Sequence, residues 1–254
     1  RAWGDLSRPG RTILLLTLLL LLTLAGVVIG GGTPDKLRAL GRVEQSARRR
    51  LVGTLFVLSA AAAAGAAGTA TERHGAIQAS VAGLIVALTG YLVVPTLLGQ
   101  LACWAGALGL SLSIVEEATD GYQAVGSALA VVALGIVWAA LARLEVLAEP
   151  YAGLGVGAAT TLLGAQLVLV DGESNTLAYV LTATVAVACF AGFVRLRNWL
   201  VLATGVLAVV LVVPEALTDW TEGSLGSASA LLVTGVALLA ASAFGLRLQR
   251  HAHD

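Results

Sequence analysis

Charge is what this chain has least of. Only 12% of its 254 residues are Asp, Glu, Lys or Arg, against roughly 25% in a soluble domain. The formal net charge is zero, so charge offers no footprint for nucleic acid or for an acidic partner. Cysteine is limited to Cys103 and Cys189. Both fall inside apolar runs and read as small buried hydrophobes, too few and too far apart for a disulfide framework or a metal site. Histidine is limited to His74, His251 and His253, all at the edges of apolar runs, so the paired histidines of a haem-binding membrane protein are missing. Lysine occurs once, as Lys36, in a loop, which excludes the mid-span lysine of a retinal protein. The remaining basic residues are all Arg, and with the Ala, Gly, Val and Leu excess this points to a GC-rich bacterial genome. Methionine is absent even at position 1, as expected of a chain that starts inside a longer product or after processing. No Pro/Ser-rich linker or polar block interrupts the chain, so 1–254 reads as a single integral membrane domain.

What is present is hydrocarbon. Hydrophobic residues make up 58% of the chain and the mean hydropathy is +0.91. The apolar residues come in runs of the length that crosses a bilayer core, roughly 17–25 residues. About nine spans are predicted, near 12–31, 51–70, 76–94, 97–115, 123–142, 152–170, 176–194, 199–214 and 225–246. The runs are continuous rather than strictly alternating, which excludes a β-barrel. The expected fold is therefore an all-α polytopic transmembrane helical bundle with short loops. The stretch at 12–31 has no A-x-A-like cleavage site after it and reads as a retained helix.

The loops sort by sign. Glu116, Glu117 and Asp120 lie in one turn, Asp171 and Glu173 in another, and Glu215, Asp219 and Glu222 in a third. The turns on the opposite side carry Arg143, then Arg195 and Arg197, then Arg247 and Arg250. By the positive-inside rule the basic turns and the C-terminus are cytoplasmic. Counting back places 33–50 on the same side. This segment is the densest positive charge in the chain, with Lys36, Arg38, Arg42, Arg48, Arg49 and Arg50. Arg1, Arg8 and Arg11 precede the first span and oppose that orientation, leaving it the weakest part of the topology.

The segment has its own local logic. Thr33-Pro34-Asp35 combines a hydroxyl N-cap, a proline at the first helical position and an acid at the positive dipole end. Leu37, Leu40 and Val43 form an apolar stripe, and Glu44 pairs with Arg48 at i,i+4. An amphipathic basic helix is expected, lying on the surface or running straight into the second span. Arg38, Arg42, Arg48, Arg49 and Arg50 are its candidate contacts with anionic lipid headgroups or with a protein partner.

Ionisable residues inside a membrane mark function, and the predicted spans have essentially none away from their ends. The polar residues they do contain are Gln78, Gln100, Gln166, Thr160, Thr161, Thr182 and Thr184. These serve either as interhelical hydrogen-bonding groups or as a cavity lining. Pro95, Gln100, Trp104 and Gln166 form the most cavity-like set, because proline frees backbone carbonyls and Gln100 and Trp104 stand at i,i+4. Gly153, Gly155, Gly157, Gly164 and the run SAAAAAGAAG at 59–68 suit close helix packing or oligomer contacts. Tyr122, Tyr151, Trp199 and Trp220 read as interface anchors. The acids of PEALTDWTEGS at 214–224 read as a solvated turn. No nucleophile elbow, P-loop, zinc motif or dinucleotide fingerprint occurs, and no cofactor is expected.

Two stretches carry a resemblance: RAWGDLSRPGRTILLLTLLLLL at 1–22 and RLRNWLVLATGVLAVVLVVPEALTDWTEGSLGSASALLVTGVALLAASAFGLRLQR at 195–250. They resemble uncharacterised multi-helix predicted membrane proteins of actinobacteria, grouped with domains of unknown function. The resemblance covers about a third of the chain. It implies a helical protein of the bacterial inner membrane and transfers no functional residue. Three functions follow in order: a non-catalytic subunit or scaffold of a membrane complex, with a protein partner or a second copy of itself; a transporter of small neutral or hydrophobic molecules, similar to drug/metabolite transporters; and, lowest, a lipid-modifying enzyme.

Overall fold

Why these segments are helices, and where each stops, follows from their ends. The computed structural model describes residues 7–42, 46–71, 74–119, 123–171 and 175–220, with 232, 235, 236 and 239. Among these residues every regular element is helical. The helices are α1 (Arg8–Gly30), α2 (Pro34–Arg42), α3 (Ala47–Ala70), α4 (Gly75–Val93), α5 (Leu97–Ala118), α6 (Ala124–Arg143), α7 (Pro150–Leu167), α8 (Asn175–Leu196) and α9 (Trp199–Trp220), with a 3-10 turn at Val168–Asp171. The span expected at 225–246 lies outside the described residues except for the four scattered positions.

Seven of these helices are long and apolar enough to cross a membrane: α1, α3, α4, α5, α6, α8 and α9. α7 is less apolar because Gly153, Gly155, Gly157, Gly164, Thr160 and Gln166 dilute it, and most of those residues are buried. Large apolar side chains stand exposed along the spans, among them Ile13 and Leu20 on α1, Ile136 on α6 and Val187 on α8. Water would not tolerate so many exposed apolar surfaces on a soluble protein. The chain is a multi-pass integral membrane protein.

The described helices fall into two compact units. In the first, α3 packs between α1 and α4, α5 packs on α4 and touches α3, and the segment Glu145–Glu149 belongs with them. α1 fully buries only Gly26 and Gly30; about half of its residues are exposed and the others are partly covered, where it packs on α3. It begins at Ser7, whose hydroxyl accepts from the Gly10 amide, and stops at Gly31. Gly31 has φ 118°, and its amide and that of Gly32 return to Val28 and Val27. That left-handed turn needs glycine and closes the helix. α2 is short and touches both α1 and α4. It buries Leu37 and Leu40, with Asp35 in its first turn, as the stripe and the start signal predict. Val43 and Glu44 lie outside the described residues. α2 does not run into α3; Ser46 starts α3 afresh by accepting from the Arg49 amide.

In the second unit α7 is central, touching α6, α8 and α9. A Cβ on Gly164 would lie 2.7 Å from the Val132 nitrogen, and one on Gly157 2.7 Å from the Ala139 nitrogen. Backbones approach this closely only where side chains are missing. Leu162, Ala165, Val185, Ala186, Cys189, Val201 and Ala208 form the core on the other side of α7. Cys103 and Cys189 are free and buried.

Candidate functional site

Residues that the sequence places in separate groups meet at one end of the first unit. α4 ends at Val93 and α5 begins at Leu97, so Pro95 separates two helices rather than kinking one. The break leaves carbonyls to be satisfied. Arg49 reaches across from α3 and donates to the Pro95 carbonyl, through Nε at 3.1 Å and through a terminal guanidinium nitrogen as well. Thr96 caps α5, its hydroxyl accepting from the Gly99 amide at 3.1 Å. Arg48 donates from Nε to the Ile29 carbonyl at 2.5 Å, at the end of α1. Arg50 is exposed, as is Arg38 on α2; Arg42 is the last residue of α2.

Gln100 is 1% exposed. Its side-chain oxygen accepts from the Glu149 amide at 3.1 Å and its nitrogen donates to the Glu149 carbonyl at 3.3 Å. The Tyr91 hydroxyl accepts from the Ala148 amide at 2.6 Å. The first turn of α3, the break at 94–96 and the segment at 145–149 therefore share one end. Between them lies a cleft of about 310 Å³ lined by Arg49, Arg50, Thr96, Leu97, Leu98 and Glu149. Trp104 stands one turn further along α5, half-buried. At the other end His74, in the left-handed region at φ 59°, faces Glu117, with Nδ1 to Oε1 at 2.7 Å.

Gln166 belongs to the second unit. It donates to the Thr182 hydroxyl at 3.0 Å and also reaches the Glu215 carboxylate. The expected solvated turn at 214–224 is helical as far as Trp220, and 221–224 lie outside the described residues. α9 absorbs Pro214 and runs to Trp220, so Glu215 and Asp219 are helical. The Tyr179 hydroxyl donates to the Glu215 carbonyl at 3.4 Å, and Asn175 donates to Asp219 Oδ1 at 3.3 Å. Asn198, not among the expected site residues, is 1% exposed. It donates to the Tyr151 carbonyl at 2.8 Å and accepts from the Leu200 amide at 2.9 Å. An asparagine just ahead of an apolar run is an N-cap signal and marks it. Tyr151 and Trp199 lie at helix starts and are exposed; Tyr122 and the Trp220 side chain lie outside the described residues, as do His251 and His253.

Two further surfaces of the first unit are grooves. One, of about 350 Å³, lies among α3, α4 and α5 and is lined almost wholly by small residues. Among the described residues no group of three or more His, Cys, Asp or Glu is placed to hold a metal ion. No family model, curated protein or solved structure matches the chain. The fold and these surfaces define a helical, multi-pass integral membrane protein.

Proposed function

We propose that the protein is a non-catalytic subunit of a membrane complex, in the inner membrane of a bacterium of the actinobacterial kind it resembles, with its basic loops and C-terminus cytoplasmic. The observation that carries this reading is the small-residue groove. Ala60 and Ala64 on α3, Ala79 and Gly83 on α4, and Ala102 and Gly106 on α5 all line it. Each pair is spaced i,i+4, the small-xxx-small spacing through which membrane helices approach closely. Such a groove suits the helix of a partner subunit. The transporter reading loses support from Gln100, whose amide is occupied by the Glu149 backbone.

The test is native purification in mild detergent followed by mass spectrometry. A stoichiometric membrane partner is expected with the wild-type chain. Ala61 and Ala105 line the groove and are exposed, so Ala61→Leu and Ala105→Leu should release the partner without unfolding the chain. A chain that purifies alone sinks the proposal. One observation favours transport as the second reading: Gln166, Thr182 and Glu215 bring polar groups together between helices of the second unit. Loss of neutral-solute uptake in Gln166→Leu would be its support.

A further inference from the structure

The larger groove of the first unit, about 770 Å³, lies between α1 and α4. Leu16 and Leu20 form one wall, Val86 and Val93 the other, and Phe56 of α3 the floor. Leu37 of α2 closes one end. Three threonines interrupt the walls, yet each hydroxyl is engaged within the protein: Thr17 with Ile13, Thr23 with Leu19 and Thr89 with Ile85 on their own helices at 2.7–2.8 Å, and Thr23 also with the Ser59 hydroxyl of α3 at 3.3 Å. The lining therefore presents mainly aliphatic groups and the Phe56 ring. In a bilayer such a cleft is filled by hydrocarbon, since an empty one forfeits contacts on every side.

Length and charge identify the hydrocarbon. On α1 the lining runs from Leu16 to Val27, about 16 Å of helix at 1.5 Å per residue. That matches one leaflet, about half of a hydrocarbon core roughly 30 Å thick. A partner helix would need a groove through both leaflets. The closed end is also the charged end. α2 bridges α1 and α4 there, with its leucines inward and Lys36 and Arg38 exposed. Lys36 and Arg48 flank Gly31: a Cβ on that glycine would lie 2.9 Å from Lys36 Cβ and 3.6 Å from Arg48 Nη2. We propose that this groove is a binding site for an acidic glycerophospholipid, with one acyl chain between α1 and α4 and the phosphate against Lys36 and Arg48 at the α2 end. Arg38 adds to the attraction. The site is separate from the small-residue groove and stands whether or not a partner helix occupies that one.

The experiment uses the full chain in mild detergent, offered phosphatidylglycerol and phosphatidylcholine with identical chains, and counts retained lipids by native mass spectrometry. One phosphatidylglycerol should be retained in preference to phosphatidylcholine by fivefold or more. Lys36→Gln should reduce that preference about fivefold, the effect of one cation near the headgroups. Leu20→Trp fills the groove and should abolish retention of both lipids, while Ile136→Trp, on an exposed position of α6, should leave retention unchanged and controls for folding. Equal retention of the two lipids by the wild-type chain overturns the proposal. So does undiminished retention in Leu20→Trp, or a dimer that Leu20→Trp dissociates, since the groove would then seat a second copy.

Discussion

Replacing Gln100 by leucine removes one donor and one acceptor from a side chain that is 1% exposed and serves a single peptide group on each side of Glu149. Each intramolecular hydrogen bond contributes about 0.5–1.5 kcal/mol net, so losing both costs about 1–3 kcal/mol. Glu149 itself is only partly buried, so its freed amide and carbonyl recover some hydration. The expected loss therefore falls in the lower half of that range, about 1–2 kcal/mol. The loss is local, because Gln100 fastens the segment 145–149 and not the packing of α5 on α4. Hydrogen exchange read by mass spectrometry isolates it. Peptides covering 145–149 should exchange roughly 5–30 times faster in Gln100→Leu, while α5 peptides beyond Cys103 keep their rates. Unchanged exchange at 145–149 would refute the reasoning, and Gln100 would then return to the role of a cavity-lining amide.

Three other outcomes are expected. Gly164→Ala sets a methyl 2.7 Å from the Val132 nitrogen and 2.8 Å from the Ala128 carbonyl; since backbone must move, it should destabilise by about 1–3 kcal/mol and lower the thermal midpoint in detergent. Gly192→Ala meets only Val201 Cγ1 at 3.6 Å and should be neutral or slightly stabilising; equal midpoints for the two variants would sink the close-approach argument. Arg49→Ala strands the Pro95 carbonyl and should loosen the 94–96 break by about 1.5 kcal/mol, the low end for a charged hydrogen bond, at a half-buried site; faster exchange at 94–97 reads the change, and unchanged exchange there would contradict it. With Cys103 and Cys189 changed to alanine, Thr33→Cys and Ala148→Cys should react with an impermeant thiol reagent from one side of intact cells and Ala76→Cys from the other, and labelling of all three from the same side would contradict the topology.

Local chemistry was the legible part. Pro34 and Asp35 announce α2, and Leu37 and Leu40 are buried as their spacing requires. The small residues of α7 are legible as packing groups because glycine at that density has little other use in a helix. What the sequence could not show depends on distance along the chain. Tyr91 finds Ala148 across 57 residues and Asn198 finds Tyr151 across 47, and no periodicity encodes such a partner. The span predicted at 199–214 stops short for a different reason, at Pro214. Proline normally ends a span, but α9 tolerates it and carries Glu215 on toward Gln166. The grooves were invisible as well, since each is made by three or more helices and belongs to none.

The polar residues that look functional in the sequence are for the most part spoken for by the backbone. A helix that stops near the membrane surface leaves carbonyls and amides that lipid cannot satisfy, each costing several kcal/mol. Arg48 answers Ile29, Arg49 answers Pro95, Gln100 answers Glu149 twice and Tyr91 answers Ala148. This explains why a chain so poor in charge concentrates arginines in the first turn of α3: that turn faces the broken ends of α1 and of the α4–α5 hairpin together. Hydrogen bonding to a carbonyl does not neutralise a guanidinium, so the same arginines keep their positive charge at that end of the unit. The structural duty and the attraction for acidic headgroups are thus one feature. An Arg48→Lys or Arg49→Lys exchange separates them, keeping the charge and losing the planar fork. Such variants should keep their lipid preference while exchange quickens at the helix ends.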